Sequence, residues 1–168
     1  SDIAQAAIEV IAELGLERAN LRSIAARAGV TTGAVAHYFK DKDALLEAAL
    51  NEVGARLFSK GERGEDKRLL RIVDILPVNE TSRRNWQVWL AFCGHVSYSQ
   101  RLQQIYTRFY TRIEIAVAKN LQLRDKRRAR EIAASIIAAV DGVGLCATVQ
   151  PKLWPPDRQK ARLTELLK

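Results

Sequence analysis

Residues 21–46, LRSIAARAGVTTGAVAHYFKDKDALL, decide the fold. Leu21, Ile24, Ala25 and Ala28 recur at i, i+3, i+4 and i+7, which puts one apolar face on a short helix. Gly29 follows at once, where a helix end favours a residue that accepts a left-handed backbone. Thr31 and Thr32 offer side-chain oxygens to cap a second helix, which ends near Phe39, and Asp41 offers one to the helix after it. Two short helices joined by a glycine-containing turn of about three or four residues form a helix-turn-helix unit. In such a unit the second helix enters the major groove of duplex DNA.

Outward from this unit the chain keeps helical periodicity throughout. A helix over 3–14 turns Ile3, Ala7, Val10, Ile11 and Leu14 inward, with Asp2 as its cap and Gly15 as its end. Asn20 caps the helix that opens at Leu21, and Val35 and Phe39 are the inward side of the short second helix. Leu45, Leu46, Ala49, Val53 and Leu57 carry the next helix to about Phe58. The run KGERGED, 60–66, has two glycines and mixed charge and reads as a loop between head and body. The body is predicted as helices over 68–76, 80–96, 101–121 and 126–149, the last capped by Asp125. Pro155 and Pro156 then open a final helix that ends near Leu167. No strand pattern or repeat occurs. The expected fold is all-α, with a three-helix head over 1–46 and a helical body over 47–168.

Composition narrows the function. The chain has 168 residues, 48% of them hydrophobic, with four prolines and nine glycines, which suits a helical globule. No basic-then-apolar leader opens it. The most apolar stretch, 132–151, is broken by Asp141, Gly142 and Gly144, and reads as a buried helix rather than the ~20 apolar residues of a membrane span. Cys93 and Cys146 lie far apart in apolar helical patterns, as inert core thiols in a cytoplasmic protein would. The net charge is +8, yet residues 1–48 hold five Lys/Arg against seven Asp/Glu, and residues 49–168 hold 22 against 12. The basic excess therefore lies outside the reading head, and DNA binding has to rest on where a few cations and amides point.

The run AARAGVTTGAVAHYFKDKDALLEAAL, 25–50, resembles the DNA-binding segment of the TetR family of transcription repressors. Ala36 stands where many members have tyrosine, and a small residue there gives up a backbone contact. Members often carry a basic arm ahead of the first helix; the residues here open at Ser1, within that helix. In the body, NETSRRNWQVWLAFCGH (79–95), RLQQ (101–104) and AAVDG (138–142) are similar to the BetI-like, choline-responsive subgroup of the family.

The resemblance assigns DNA contacts to Arg22, Thr31, Thr32, Gly33, Ala34, His37, Tyr38 and Lys42. Arg22 would reach a base edge or phosphate. Thr32, Gly33 and Ala34 would lie against the bases, where threonine offers both a hydroxyl and a methyl. His37, Tyr38 and Lys42 would hold phosphates. Plainer readings stand beside these: Thr31 as a cap only, Tyr38 as partly core, and His37 and Lys42 as solvated side chains.

Three further features bear on the body. Trp86, Trp89 and Phe92 share one helix, and Tyr106 and Tyr110 share the next, so they form either plain core or the walls of an effector cavity. Asp141 interrupts the apolar run IIAAVDGVGL, where a buried carboxylate is costly without a partner. It is either paired with an arginine or backbone amide, or serves as counter-charge to a cationic ligand among aromatic rings. Ile132, Ile136, Val140, Val143 and Ala147, with Leu163 and Leu167 on the last helix, form apolar surfaces that are buried in the chain or in a dimer. The resemblance implies a two-fold dimer on a near-palindromic operator. No catalytic, cofactor or paired-cysteine metal motif is present, and Cys93 and His95 point to different helix faces. The reading is a homodimeric, ligand-responsive repressor of duplex DNA; the rival is a small-molecule sensor that acts through a protein partner.

Overall fold

The computed structural model describes the backbone of residues 2–62 and 75–166, and the side chains of 2–54 and 75–166. All regular structure among them is helical. The helices are α1 (Asp2–Leu14), α2 (Leu21–Ala28), α3 (Thr32–Tyr38), α4 (Lys42–Glu62), α5 (Glu80–Val96), α6 (Gln100–Asn120), α7 (Lys126–Val149) and α8 (Pro156–Leu166). A 3-10 turn, Leu16–Arg18, links α1 to α2. The chain packs as two units: Ser1–Arg56 with Arg84–Ile105, and Leu57–Arg83 with Tyr106–Lys168. The head is thus packed together with most of α5 and the first turn of α6.

In the first unit the helix ends form where the side chains dictate. Gly15 turns the chain at φ +77° after α1, and Gly29 ends α2 at φ +67°, a region that disfavours residues with a Cβ. Asn20 and Ser23 cap α2 reciprocally through each other's side chains and backbone amides. Thr31 accepts from the Ala34 amide and Asp41 from the Ala44 amide, so α3 and α4 are both capped. The head core is Ile8, Val10, Ile11, Ile24, Val35, Leu46 and Leu50, each no more than 2% exposed. Arg27 of α2 ties two carboxylates of α1, Glu9 at 3.2 Å and Glu13 at 2.6 Å.

Two side chains depart from the expected inward stripes. Leu14 is 44% exposed because it is the last residue before the turn at Gly15, and Leu21 is 41% exposed at the opening of α2. In compensation α1 buries Ala4, Ala6 and Ile8 as well, so its covered face is wider than one stripe. A loop is expected over 60–66, but α4 continues through Glu62; 63–66 lie outside the described residues. The predicted helix 68–76 falls almost wholly outside them too.

In the second unit, α6 and α7 form an antiparallel helical hairpin. Val117, Ala133 and Ile136 are its buried centre, with Ile113, Leu121 and Ile132 packed around them. Arg130 of α7 pairs with Glu114 of α6 at 2.8 Å. Leu163 of α8 is buried, and Gln159, 2% exposed, donates to the carbonyls of Trp154 and Pro77. α7 has the length and apolarity to cross a membrane; one side of it, with Ala133, Ile136, Ile137, Val140, Val143 and Ala147, is buried within the chain, and the other side is exposed.

Phe39→Ala removes a ring that is 5% exposed and is expected to cost about 3–5 kcal/mol of unfolding free energy. Leu21→Ala, at a position the sequence alone would place inside, is expected to cost under ~1 kcal/mol. Urea unfolding of the two variants measures the contrast.

Candidate DNA-reading surface and effector site

The reading surface is built on how little of α3 is used for packing. Val35 is the one α3 residue that is buried, and Phe39 anchors the chain just past its end. Thr31, Thr32, Gly33, Ala34, Ala36, His37 and Tyr38 are all exposed. Thr31 spends one oxygen lone pair on the Ala34 amide at 3.2 Å and keeps the rest of its hydroxyl outside. A Cβ placed on Gly33 would meet nothing nearer than the Thr31 hydroxyl at 3.8 Å. Packing within the chain therefore does not demand glycine there; a missing side chain lets an outside surface approach the backbone. Tyr38 packs its ring edge-on to Phe39, centroids 4.9 Å apart, and remains 46% exposed. That geometry anchors the ring and leaves the phenol accessible.

Arg22 is exposed on the first turn of α2. Lys42 opens α4, but its ammonium is bound to both carboxylate oxygens of Glu17 at 3.1 Å. Of the eight residues named from sequence, Thr31 to Tyr38 fall on or just before one short exposed helix, while Arg22 lies on α2 and Lys42 on α4. The helix dipole and free amides at the α3 and α4 starts add to the few cations there.

Sequence reasoning missed the residues that hold the start of α4. Ser99, just before α6, donates to Asp43 at 2.5 Å. Arg101 of α6 binds Glu47 at 2.6 Å and lies 3.7 Å from Asp41. His95 of α5 lies 3.8 Å from Glu17. These contacts join residues 54 to 78 apart in the chain, and no local pattern announces them.

In the second unit Tyr106 and Tyr110 stack, with centroids 4.4 Å apart and planes 20° from parallel. The Tyr110 hydroxyl donates to the Asp141 carboxylate across the α6–α7 hairpin. The partner of Asp141 is thus a phenol, in place of the arginine or backbone amide expected for a structural pairing. Burial pushes the Asp141 carboxyl above its ordinary range, and the Tyr110 hydrogen bond partly offsets that. Burial, and then the adjacent carboxylate, push the Tyr110 phenol far above its own range, so it stays protonated as a donor. No lysine or arginine among the described residues lies within ion-pair distance of Asp141. A half-buried carboxylate thus meets the hydroxyl of one of two stacked rings, with no cation paired to it among the described residues.

The other aromatic set belongs to the first unit. Trp86 and Phe92 are buried and serve first as core; Trp89, half-buried, stacks on Phe92 at 5.4 Å. The positions named for a dimer contact are mostly used within the chain: Ile136, Val140, Val143, Ala147 and Leu163 are buried, and Ile132 is half-buried. Leu167 lies outside the described residues. The face of α7 open to a partner is the opposite one, with Ala134, Ala138, Gly142, Leu145 and Val149 exposed in register. No group of three or more metal-ligating side chains occurs among the described residues.

Comparison with known proteins agrees with both halves. Residues 3–49 match the family model of bacterial regulatory proteins of the tetR family, and residues 65–168 match that of the BetI-type transcriptional repressor C-terminal region. The HTH-type transcriptional regulator BetI of Escherichia coli K12 is 30% identical, over 93% of this chain and 84% of its own length. Among solved structures, a transcriptional regulator from Rhodococcus sp. RHA1 superposes with a TM-score of 0.88 at 30% identity. It covers 99% of this chain and 92% of its own. A regulator from Saccharomonospora viridis, solved in complex with choline, has the same fold, with a TM-score of 0.77 at 21% identity over 99% of this chain and 93% of its own. The chain belongs to the TetR family: it is a DNA-binding transcriptional repressor with a BetI-type C-terminal region, and not an enzyme.

Proposed function

We propose that this repressor binds a near-palindromic operator as a homodimer, and that a small quaternary ammonium compound of the choline class, held at Tyr106, Tyr110 and Asp141, modulates that binding. The observation that carries the effector class is the Asp141 carboxylate, hydrogen-bonded by the phenol of Tyr110, which stacks on Tyr106, with no ion-paired lysine or arginine among the described residues. A quaternary ammonium has no N–H to donate, so it is recognised by charge and by aromatic faces, and this site offers both. The choline complex of the Saccharomonospora viridis regulator and the kinship to BetI support the same class.

The operator contacts proposed are Arg22, Thr31, Thr32, Gly33, Ala34, His37, Tyr38 and Lys42. The dimer proposed uses the exposed side of α7, where Ala134, Ala138 and Gly142 permit close helix approach and Leu145 and Val149 supply apolar area, together with Leu166 of α8. Two copies related by a two-fold axis would read half-sites about 34–36 Å apart. α4 belongs to the first unit as far as Arg56 and to the second from Leu57, so one continuous helix runs from the reading head into the effector-binding unit. An effector that binds the DNA-incompetent setting more tightly lowers operator affinity by that difference in affinity. Such a protein acts in the cytoplasm, where the chromosome is.

Selection of duplexes from random DNA is expected to return a near-palindrome, and Thr32→Ala with His37→Ala is expected to weaken its binding at least tenfold without moving the thermal midpoint. Failure to select any duplex would favour the sensor that works through a protein partner.

Millimolar choline is expected to raise the melting temperature, and Asp141→Asn to abolish the rise. The same variant separates binding from folding. The carboxyl's folded-state pKa is raised by burial, so keeping the group ionised in the folded wild type costs stability. That cost falls as pH drops through the raised pKa, and it is absent in asparagine, whose carbonyl still accepts from Tyr110. The ligand-free Asp141→Asn protein is therefore expected to melt no lower than wild type at pH 7 while losing its response to choline. A full choline shift in the variant would remove Asp141 from the site.

A further inference from the structure

One ion pair in the head is at odds with the DNA contact assigned to it. The Lys42 ammonium binds both oxygens of Glu17 at 3.1 Å. Glu17 lies in the turn Leu16–Arg18, its side chain 78% exposed. Its carboxyl titrates below the ordinary range, through the Lys42 hydrogen bonds first. His95 stands on its other side. The Nδ1 of His95 lies 3.0 Å from the Ala91 carbonyl and so donates to it, which leaves Nε2 facing Glu17 at 3.8 Å.

The backbone under Lys42 is fixed. Asp41 caps α4, Ser99 holds Asp43, and Arg101 holds Glu47. With its origin pinned, the Lys42 side chain gives its ammonium to the Glu17 carboxylate, and an incoming phosphate would have to compete for the same three N–H donors. Glu17 is one of the seven carboxylates that, against five Lys/Arg, give the first 48 residues a net charge of −2.

We propose that Glu17 is a built-in competitor for the operator phosphate taken by Lys42, so that it keeps operator affinity below what the reading surface would otherwise reach. The proposal rests on the operator-binding reading above. Exposed ion pairs contribute little each, so the expected effect is modest, about two- to fivefold in operator affinity. It shrinks as salt rises and the screening length falls from ~10 Å at 0.1 M toward ~3 Å at 1 M.

The test is a double-mutant cycle read by fluorescence anisotropy on the duplex that the wild-type chain selects, with wild type, Glu17→Gln, Lys42→Gln and the double variant. Glu17→Gln is expected to tighten binding about two- to fivefold at low salt, and the gain is expected to vanish when Lys42 is glutamine. Unchanged or weaker binding by Glu17→Gln overturns the proposal. So does an equal gain in the Lys42→Gln background, which would mean a general charge effect and not competition for one ammonium. Should Glu17→Gln lower the thermal midpoint, Glu17→Ser completes the same cycle. A wild-type chain that selects no duplex overturns the operator reading itself, a result distinct from both.

Discussion

The burial of Val35 and Phe39 is the constraint on which the head depends. A seven-residue helix does not persist alone in water, since nucleation costs more than a few hydrogen bonds return. α3 exists because Val35 is fully buried, Phe39 is nearly so, and Thr31 caps its first turn. Two anchors and a cap suffice, and everything else on the helix stays outside. Had α3 been amphipathic in the ordinary way, three or four of its side chains would have been spent on the core and too few left to read a groove. The short length and small residues thus follow from one requirement: the helix must be held firmly by a narrow footing.

Much of this was legible in the sequence because it is local. Gly15, Asn20, Gly29, Thr31, Asp41 and Asp125 act within three or four residues of themselves, and the structure puts helix ends or caps at each. Helices α5 and α7 span the predicted residues. Periodicity gave the inward faces but not their width or their limits. It could not tell that Leu14 and Leu21 lie beyond the covered zone, or that α1 is covered on more than one side. An apolar stripe also carries no label for what covers it. Ile136, Val140 and Val143 look the same in sequence whether they meet α6 of their own chain or a second copy, and the exposed Ala138–Gly142–Leu145 side is the less apolar of the two. The partners of Asp141 and Lys42 were out of reach for a plainer reason, since Tyr110 is 31 residues away and Glu17 is 25.

The choice of a phenol as the partner of Asp141 has consequences that an arginine would not. An arginine would cancel the charge and make the pair a finished structural element. A tyrosine hydroxyl satisfies one lone pair and leaves the charge in place. Desolvation then acts on the carboxylate, raising its pKa and its cost. Such a group is stabilised by any cation that reaches it, and the stacked Tyr106–Tyr110 pair favours a cation with an apolar coat. A strongly hydrated ammonium would have to give up more water to enter.

These two regions differ in the energy they can supply, and that difference orders the proposed mechanism. To turn a regulator from mostly one state to mostly the other, an effector must discriminate between them by about 10⁴-fold. The ion pairs around α4 — Lys42 with Glu17 and Arg101 with Glu47 — are exposed or half-exposed and screened by salt, so they adjust affinity but cannot drive such a change. A carboxylate shielded from water is a different matter, because neutralising it is worth more as its surroundings become less polar. On the function proposed above, the large term arises at Asp141, and the small ones at the head decide how tightly a head in the DNA-competent setting holds its operator. On this division, changes at the head shift operator affinity with and without effector alike, whereas changes at Asp141 alter the ratio between the two.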